Sequence, residues 1–186
     1  MAAPRPGIVW FRQDLRMEDH PALAALARSG RPVIPLFVLA PEEEGAWAPG
    51  AASRWWLHQS LKSLQQSLES AGSKLVLRSG PSLEALRDVL RESGAEAVVW
   101  NRRYEPAAAR RDQRVEAALR KHGFRVDTFN GSLLNEPATV KNKSGRPYRV
   151  FTAYWKACLA LGKSEAPLPA PRSLPSPSHW PKSLPL

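Results

Sequence analysis

The feature that most constrains the fold is a five-fold alternation of short apolar runs with helix-length amphipathic stretches. Ile8–Phe11, Val33–Leu39, Lys74–Arg78, Ala97–Trp100 and Arg125–Phe129 each read as a strand. The first, third and fourth carry nearly unbroken apolar residues, as strands buried on both faces do. Between them lie helical segments with their own start and stop signals. After the first strand, Asp19 stands as a cap, Pro21 suits a first turn and Gly30 a C-terminal cap. Ser53 is expected to open a long helix with Leu57, Leu61, Leu64 and Leu68 on one face, ended by Gly72. Pro81-Ser82 starts another, with Leu83, Leu86 and Leu90 inward and Gly94 as its stop, and a fourth runs from Pro106 to about His122. Pro35 argues against an interior strand position, so regular pairing of the second strand is expected only from Leu36.

Strands alternating with helices imply an α/β fold: a Rossmann-like five-stranded parallel sheet with helices on both faces and right-handed crossovers. Ligands of such sheets bind outside the carboxyl ends of the strands, at the switch point in strand order. Attention therefore falls on "RQDLR" (12–16), "APEEEG" (40–45), "RSGP" (78–81) and "NRRYEP" (101–106). The first of these stands where a glycine-rich phosphate loop would be, and it holds no glycine. The usual dinucleotide fingerprint and the P-loop are both missing, and ordinary NAD or ATP chemistry, such as a dinucleotide oxidoreductase, drops to a minor alternative. Asp14 has a structural reading, as a partner of Arg12 or Arg16 or as a cap of the next turn.

Beyond the fifth strand the pattern changes. "VKNKSGRPYRV" is basic and turn-rich, "FTAYWKACLAL" fits one short helix, and the last 20 or so residues hold seven of the chain's 18 prolines. The last stretch cannot be a helix or an inner strand and reads as a linker or extended tail. The balance of 27 Lys and Arg against 17 Asp and Glu gives a net charge of +10, which suits a polyanionic partner, nucleic acid first, or simply a basic solvated surface. A single cysteine, Cys158, allows no disulfide within the chain, and the four scattered histidines have no ligand spacing. No signal-peptide pattern and no apolar run of membrane-helix length is present, so a cytoplasmic, monomeric protein with no membrane partner is expected.

"VWFRQDLR", "PVIPLFVL", "SRWWLHQSLKSL", "VVWNRRYEP" and "SGRPYRVFTAYWKA", in this order, resemble the photolyase/cryptochrome family, and most closely the bacterial cyclobutane pyrimidine dimer photolyases. The resemblance covers residues 7 to about 160. It implies a tail over 1–6, an N-terminal antenna domain over 7–161 and a Pro-rich interdomain linker over 162–186. The C-terminal helical domain that holds FAD and receives the DNA lesion has no counterpart in this chain, so no catalytic residue is assigned. Light-driven repair is implied for the full-length protein acting on DNA. A cryptochrome-like photoreceptor domain, or a nucleotide-binding or interaction module without photochemistry, is the alternative.

The resemblance also implies a small-molecule antenna chromophore, a methenyltetrahydrofolate ahead of a deazaflavin. A pterin's aminopyrimidine edge offers side-by-side N–H donors that one carboxylate accepts together. Glu43 or Glu44 is the candidate acceptor, and the bland reading of Glu42–Glu44 is a solvated loop. Arg54 matches an arginine of deazaflavin-binding relatives. Trp55 or Trp56 suits a stacking role, with helical spacing placing Trp56 in the core. Arg12, Asn101 and Glu105 complete the candidate pocket. Asn101 has an alternative as a loop-fixing hydrogen bond, and Glu105 as a helix cap beside Pro106. Ala40 and Arg103 stand where some deazaflavin-binding relatives have acids. Pro49, Ala107 and Ala108 stand where some folate-binding relatives have a histidine and an Asn-Glu pair.

Overall fold

A computed structural model describes residues 4–136, 139–162 and 166–186. Parts of the expected tail (1–3) and linker (163–165) lie outside the described residues. The chain divides into two compact units, residues 1–131 with 168–186, and residues 132–167.

The first unit is built on five parallel strands: β1 (Gly7–Phe11), β2 (Val33–Leu39), β3 (Val76–Ser79), β4 (Ala97–Asn101) and β5 (Arg125–Phe129). Their order is β3-β2-β1-β4-β5, so the sheet is doubly wound and its switch point lies between β1 and β4. Helices α1 (Pro21–Arg28) and α2 (Ala51–Ser70) cover one face, and α3 (Ser82–Ser93) and α4 (Pro106–Lys121) the other. Strand residues alternate between the two cores. Ile8, Trp10, Leu36 and Val98 face α3 and α4; Val9, Phe11, Phe37 and Val99 face α1 and α2. Each Leu or Ile so buried contributes roughly 1.5–3 kcal/mol. At Gly7 a Cβ would come within 2.6 Å of Leu26 Cδ1, so a larger residue at the start of β1 would make the Leu26 side chain move.

Four expectations need correction. Pairing of β2 with β1 begins at Val33 and includes Val9 opposite Pro35. The Val33 N–H turns away from β1 to the carbonyl of Pro175. By strand alternation Pro35 turns its nitrogen the same way, and β3 pairs only from Leu36 onward, so the missing N–H costs no ladder bond. Trp56 is not core: it is 68% exposed, and the buried stripe of α2 is Leu61, Leu64 and Leu68. That helix starts at Ala51, two residues before Ser53. The cap of α1 is His20 rather than Asp19. His20 Nδ1 accepts the Leu23 N–H at 3.0 Å, while Asp19 takes a left-handed φ of 47°.

The proline-rich segment 168–186 is extended, and it is fastened to the first unit along its length. Asp19 and Leu168 exchange two hydrogen bonds, the Leu174 N–H donates to Ala71, Ser176 Oγ to Gly72, and the Leu184 N–H to Leu77. Leu174 is 3% exposed and sits in the α1/α2 core, and Trp180 packs against the α3/α4 core with the Lys74 ammonium 4.8 Å from its ring centre. The bonds to Leu77 cover the outer edge of β3, which is otherwise an open template for strand pairing.

The second unit holds an antiparallel bridge between Lys141 and Pro147 and the helix α5 (Phe151–Ala160). Asn142 Oδ1 gathers the N–H groups of Ser144 and Arg146 and the Ser144 hydroxyl, which fixes the turn at Gly145. Phe151 and Trp155 stack at 6.4 Å on α5, and both are exposed.

Candidate functional site

The site stands at the carboxyl ends of β1, β2 and β4, where the winding places it. Arg12 follows β1 directly and turns inward. Its guanidinium donates from Nη1 to Asp112 Oδ2 at 2.7 Å and from Nη2 to the Asn101 carbonyl, closing the crevice between β1 and β4. The same group lies 4.6 Å from the ring centre of Trp10, which meets Trp100 edge-on at 5.5 Å. Burial pulls the Arg12 pKa below the usual arginine value, against the carboxylates of Asp112 and Asp14 that support the charge.

Asp14 holds the turn together. Oδ1 accepts the Arg12 N–H at 2.9 Å, and Oδ2 accepts from Asn101 Nδ2 at 2.8 Å. His20 Nε2 lies 3.0 Å from the same Oδ2. Because His20 Nδ1 accepts from Leu23, the ring hydrogen sits on Nε2, facing the carboxylate. Burial pushes the Asp14 carboxyl up. The close approach of His20, the Arg12 N–H and the Arg12 charge outweigh it, and the carboxyl lies well below the usual range. Asn101 has both ends of its amide in use, since Oδ1 accepts the Ala22 N–H at 3.1 Å. Gly131 passes so close that a Cβ there would be 2.5 Å from Asn101 Cγ. Asn101 is therefore fully engaged in the frame under the pocket, and Arg12 is engaged through both terminal nitrogens while its buried Nε has no hydrogen-bond partner.

Outward from this frame charges alternate. Arg111 pairs with Asp112 Oδ1 at 2.9 Å and reaches toward Glu43 (3.6 Å) and Glu44 (3.7 Å). Arg103 joins Glu44 at 3.3 Å to Glu105 at 3.0 Å. Burial lowers the Arg103 pKa, but its bonds and charge contacts to Glu105 and Glu44 win, and it is raised; the Arg103 bond holds Glu105 low. Glu105 stands at the cap position of α4 without a capping bond.

Glu43 and Glu44 lie on a 3-10 segment, Pro41–Trp47, in which Gly45 reverses the backbone at a φ of 54° that other residues rarely adopt. Arg54 is exposed and donates to the Pro49 carbonyl at 3.2 Å. Trp47, Trp55 and Trp56 are all exposed, at 89, 62 and 68%. The structure thus brings Arg12, Glu43, Glu44, Asn101 and Glu105 into one network and leaves Arg54 outside its ion pairs. Two grooves of about 520 and 570 Å³ lie elsewhere in the first unit, the larger between Leu15–Glu18, α2 and residues 170–172.

The sequence reading missed Asp112, Arg111 and Ser82. Asp112 had a signal: it shares the buried stripe of α4 with Ala108, Val115 and Leu119, where a carboxylate demands a partner. Among the described residues no cluster of metal-ligating side chains is present, and no helix is long and apolar enough to cross a membrane.

Fold and site together define a doubly wound α/β domain that closes its switch point with internal ion pairs where a phosphate loop would open it. The family model for DNA photolyase matches residues 7–173, and the chain belongs to that family. It is 47% identical over 178 residues to the deoxyribodipyrimidine photo-lyase of Agrobacterium fabrum, covering 96% of this chain and 36% of that protein. Cryptochrome-1 of Arabidopsis thaliana is 47% identical over 169 residues, covering 90% of this chain and 25% of that one. The structure of a bacterial class III photolyase from Agrobacterium tumefaciens superposes with a TM-score of 0.91 at 45% identity, over 99% of this chain and 38% of that chain. The chain spans about a third of the length of these photolyases.

Proposed function

We propose that the chain is the light-harvesting part of a deoxyribodipyrimidine photolyase, and that it holds a methenyltetrahydrofolate beside the Pro41–Trp47 segment. Members of the family carry chromophore cofactors and FAD. The observation that carries the reading is a partly open carboxylate on the Pro41–Trp47 segment together with three uncovered indoles, one on the same segment and two on the first turns of α2. Glu44 has partners at 3.3 and 3.7 Å and a third of its side chain open to solvent. Trp47, Trp55 and Trp56 present flat apolar faces that no residue of the described chain buries. A pterin fits this chemistry: its aminopyrimidine edge donates to Glu44, and its ring has an indole to stack on. Bound there, it absorbs light and passes the excitation to FAD, which belongs to the remainder of the full-length protein. The reading makes DNA the partner of that full-length, cytoplasmic, monomeric protein, and assigns Arg54 and Glu105 as further contacts of the chromophore. A deazaflavin suits the site less well, because Arg103 pairs with Glu44 and Glu105 where an acid is wanted.

The test is retention of chromophore after desalting. The purified chain, incubated with methenyltetrahydrofolate, is expected to keep its absorption band, and Glu44→Gln to lose it. A wild-type chain that retains none refutes the antenna role, and retained FAD would place the flavin here instead. The identity to a plant cryptochrome supports a second reading, a blue-light receptor, which a full-length protein without repair activity on dimer-containing DNA would favour.

A further inference from the structure

Helix α3 begins without a cap of its own. Its cap position is Pro81, which has no side-chain acceptor, and the first N–H groups of a helix need one. The acceptor arrives from 39 residues earlier in the chain. Glu43 Oε1 accepts the Ser82 N–H at 2.7 Å, and Oε2 accepts the Ser82 hydroxyl at 2.6 Å. Ser82 is 2% exposed, so water has little access to replace these bonds. A carboxylate at this end also meets the positive pole of the helix dipole.

We propose that Glu43 is a positioning residue: an external cap that pins the Pro41–Trp47 segment to α3 and so aims Glu44 at its ligand. The last clause rests on the antenna reading above; the pinning does not. Both Glu43 oxygens are engaged by Ser82, and Arg111 stands 3.6 Å from Oε2. Little of the carboxylate is left for a second bidentate partner. The backbone reverses at Gly45, directly after Glu44, so the direction of Glu44 depends on where residue 43 is held. The two neighbouring acids divide the work, one fixing the segment and the other facing the pocket.

The test compares wild type, Glu43→Ala, Glu44→Gln and the double variant Glu43→Ala/Pro81→Asp. Three readings are taken: amide hydrogen exchange at Ser82 and along 42–47, thermal unfolding, and affinity for methenyltetrahydrofolate. Glu43→Ala is expected to speed exchange at Ser82 and in the segment about tenfold, as loss of a cap does, and to weaken folate binding by a similar factor. Glu44→Gln is expected to leave Ser82 exchange unchanged. In the double variant the introduced aspartate caps α3 locally, so thermal stability should return while folate affinity does not. Unchanged Ser82 exchange in Glu43→Ala overturns the proposal. So does a folate affinity that recovers together with stability, because Glu43 would then be an ordinary cap. Should wild type bind no folate, the antenna reading falls, and the exchange arm still decides whether Glu43 pins the segment.

Discussion

Replacing Asp14 with asparagine tests the frame under the site. The change keeps the shape and removes the charge. The new side chain has one carbonyl oxygen for three donors: the Arg12 N–H, Asn101 Nδ2 and His20 Nε2. If that oxygen stays with Arg12, its amide hydrogens face two other donors. Asn101 cannot turn over to help, because its own oxygen holds the Ala22 N–H at 3.1 Å. At least one buried donor is stranded, at about 1–3 kcal/mol, and a charge-assisted bond is lost besides. A total of about 3 kcal/mol is expected, which at roughly 2–4 °C per kcal/mol for this chain length lowers Tm by about 6–12 °C near neutral pH. The pH dependence carries a second signature. Asp14 has a depressed carboxyl pKa in the folded protein, so its contribution is present in full above the unfolded value of about 3.9 and is lost as pH falls through the folded one. The gap in Tm between wild type and variant should therefore narrow as the solution is made more acid than about pH 4. Scanning calorimetry over a pH series measures both. A neutral-pH gap of less than about 2 °C, or one that stays constant into acid, refutes the reasoning.

Leu174→Ala should cost about 2–4 kcal/mol in urea denaturation, because the side chain is in the α1/α2 core despite its place in the proline-rich segment. Gly131→Ala should cost about 1–3 kcal/mol, since its Cβ meets the side chain of a buried, fully bonded Asn101; a thermal melt checks it, and an unchanged Tm would mean the loop yields freely. Trp56→Ala should leave stability within about 0.5 kcal/mol while lowering folate retention, which desalting and absorption read together. An equal loss of stability would put Trp56 back in the core.

The alternation of strands and helices was legible because strands buried on both faces write themselves as continuous apolar runs, as β1 and β4 do; β3 starts two residues later than the expected Lys74, and the edge strand β5, with Arg125 and Asp127 in it, was legible only from its place after α4. Pro35 misled because a proline's cost depends on which neighbour its nitrogen faces, and that is a matter of register, not of composition. Trp56 misled because large apolar residues are assigned inward by default, whereas α2 leaves both indoles uncovered. At the site, Arg12 and Asp14 were visible as charges at the end of a strand. The partner of Arg12 is 100 residues away and that of Glu43 is 39 away, and no local periodicity reports such a pairing. His20 was equally hidden, since histidine is an unusual cap and its choice is explained only by the carboxylate on its other side.

The fastened C-terminal segment bears on the order in which the chain acquires its structure. Its bonds join residues 149 and 104 positions apart, Leu168 to Asp19 and Ser176 to Gly72. Contacts of such separation close late, after the entropy of a long loop has been overcome. On the ribosome the sheet can wind as each helix emerges, but the seam that Leu174 fills and the outer edge of β3 wait for residues 174 and 184 to appear. Until then the nascent domain carries one raw strand edge and one unfilled hydrophobic slot, and this is the interval in which a chaperone or a misplaced strand would find it.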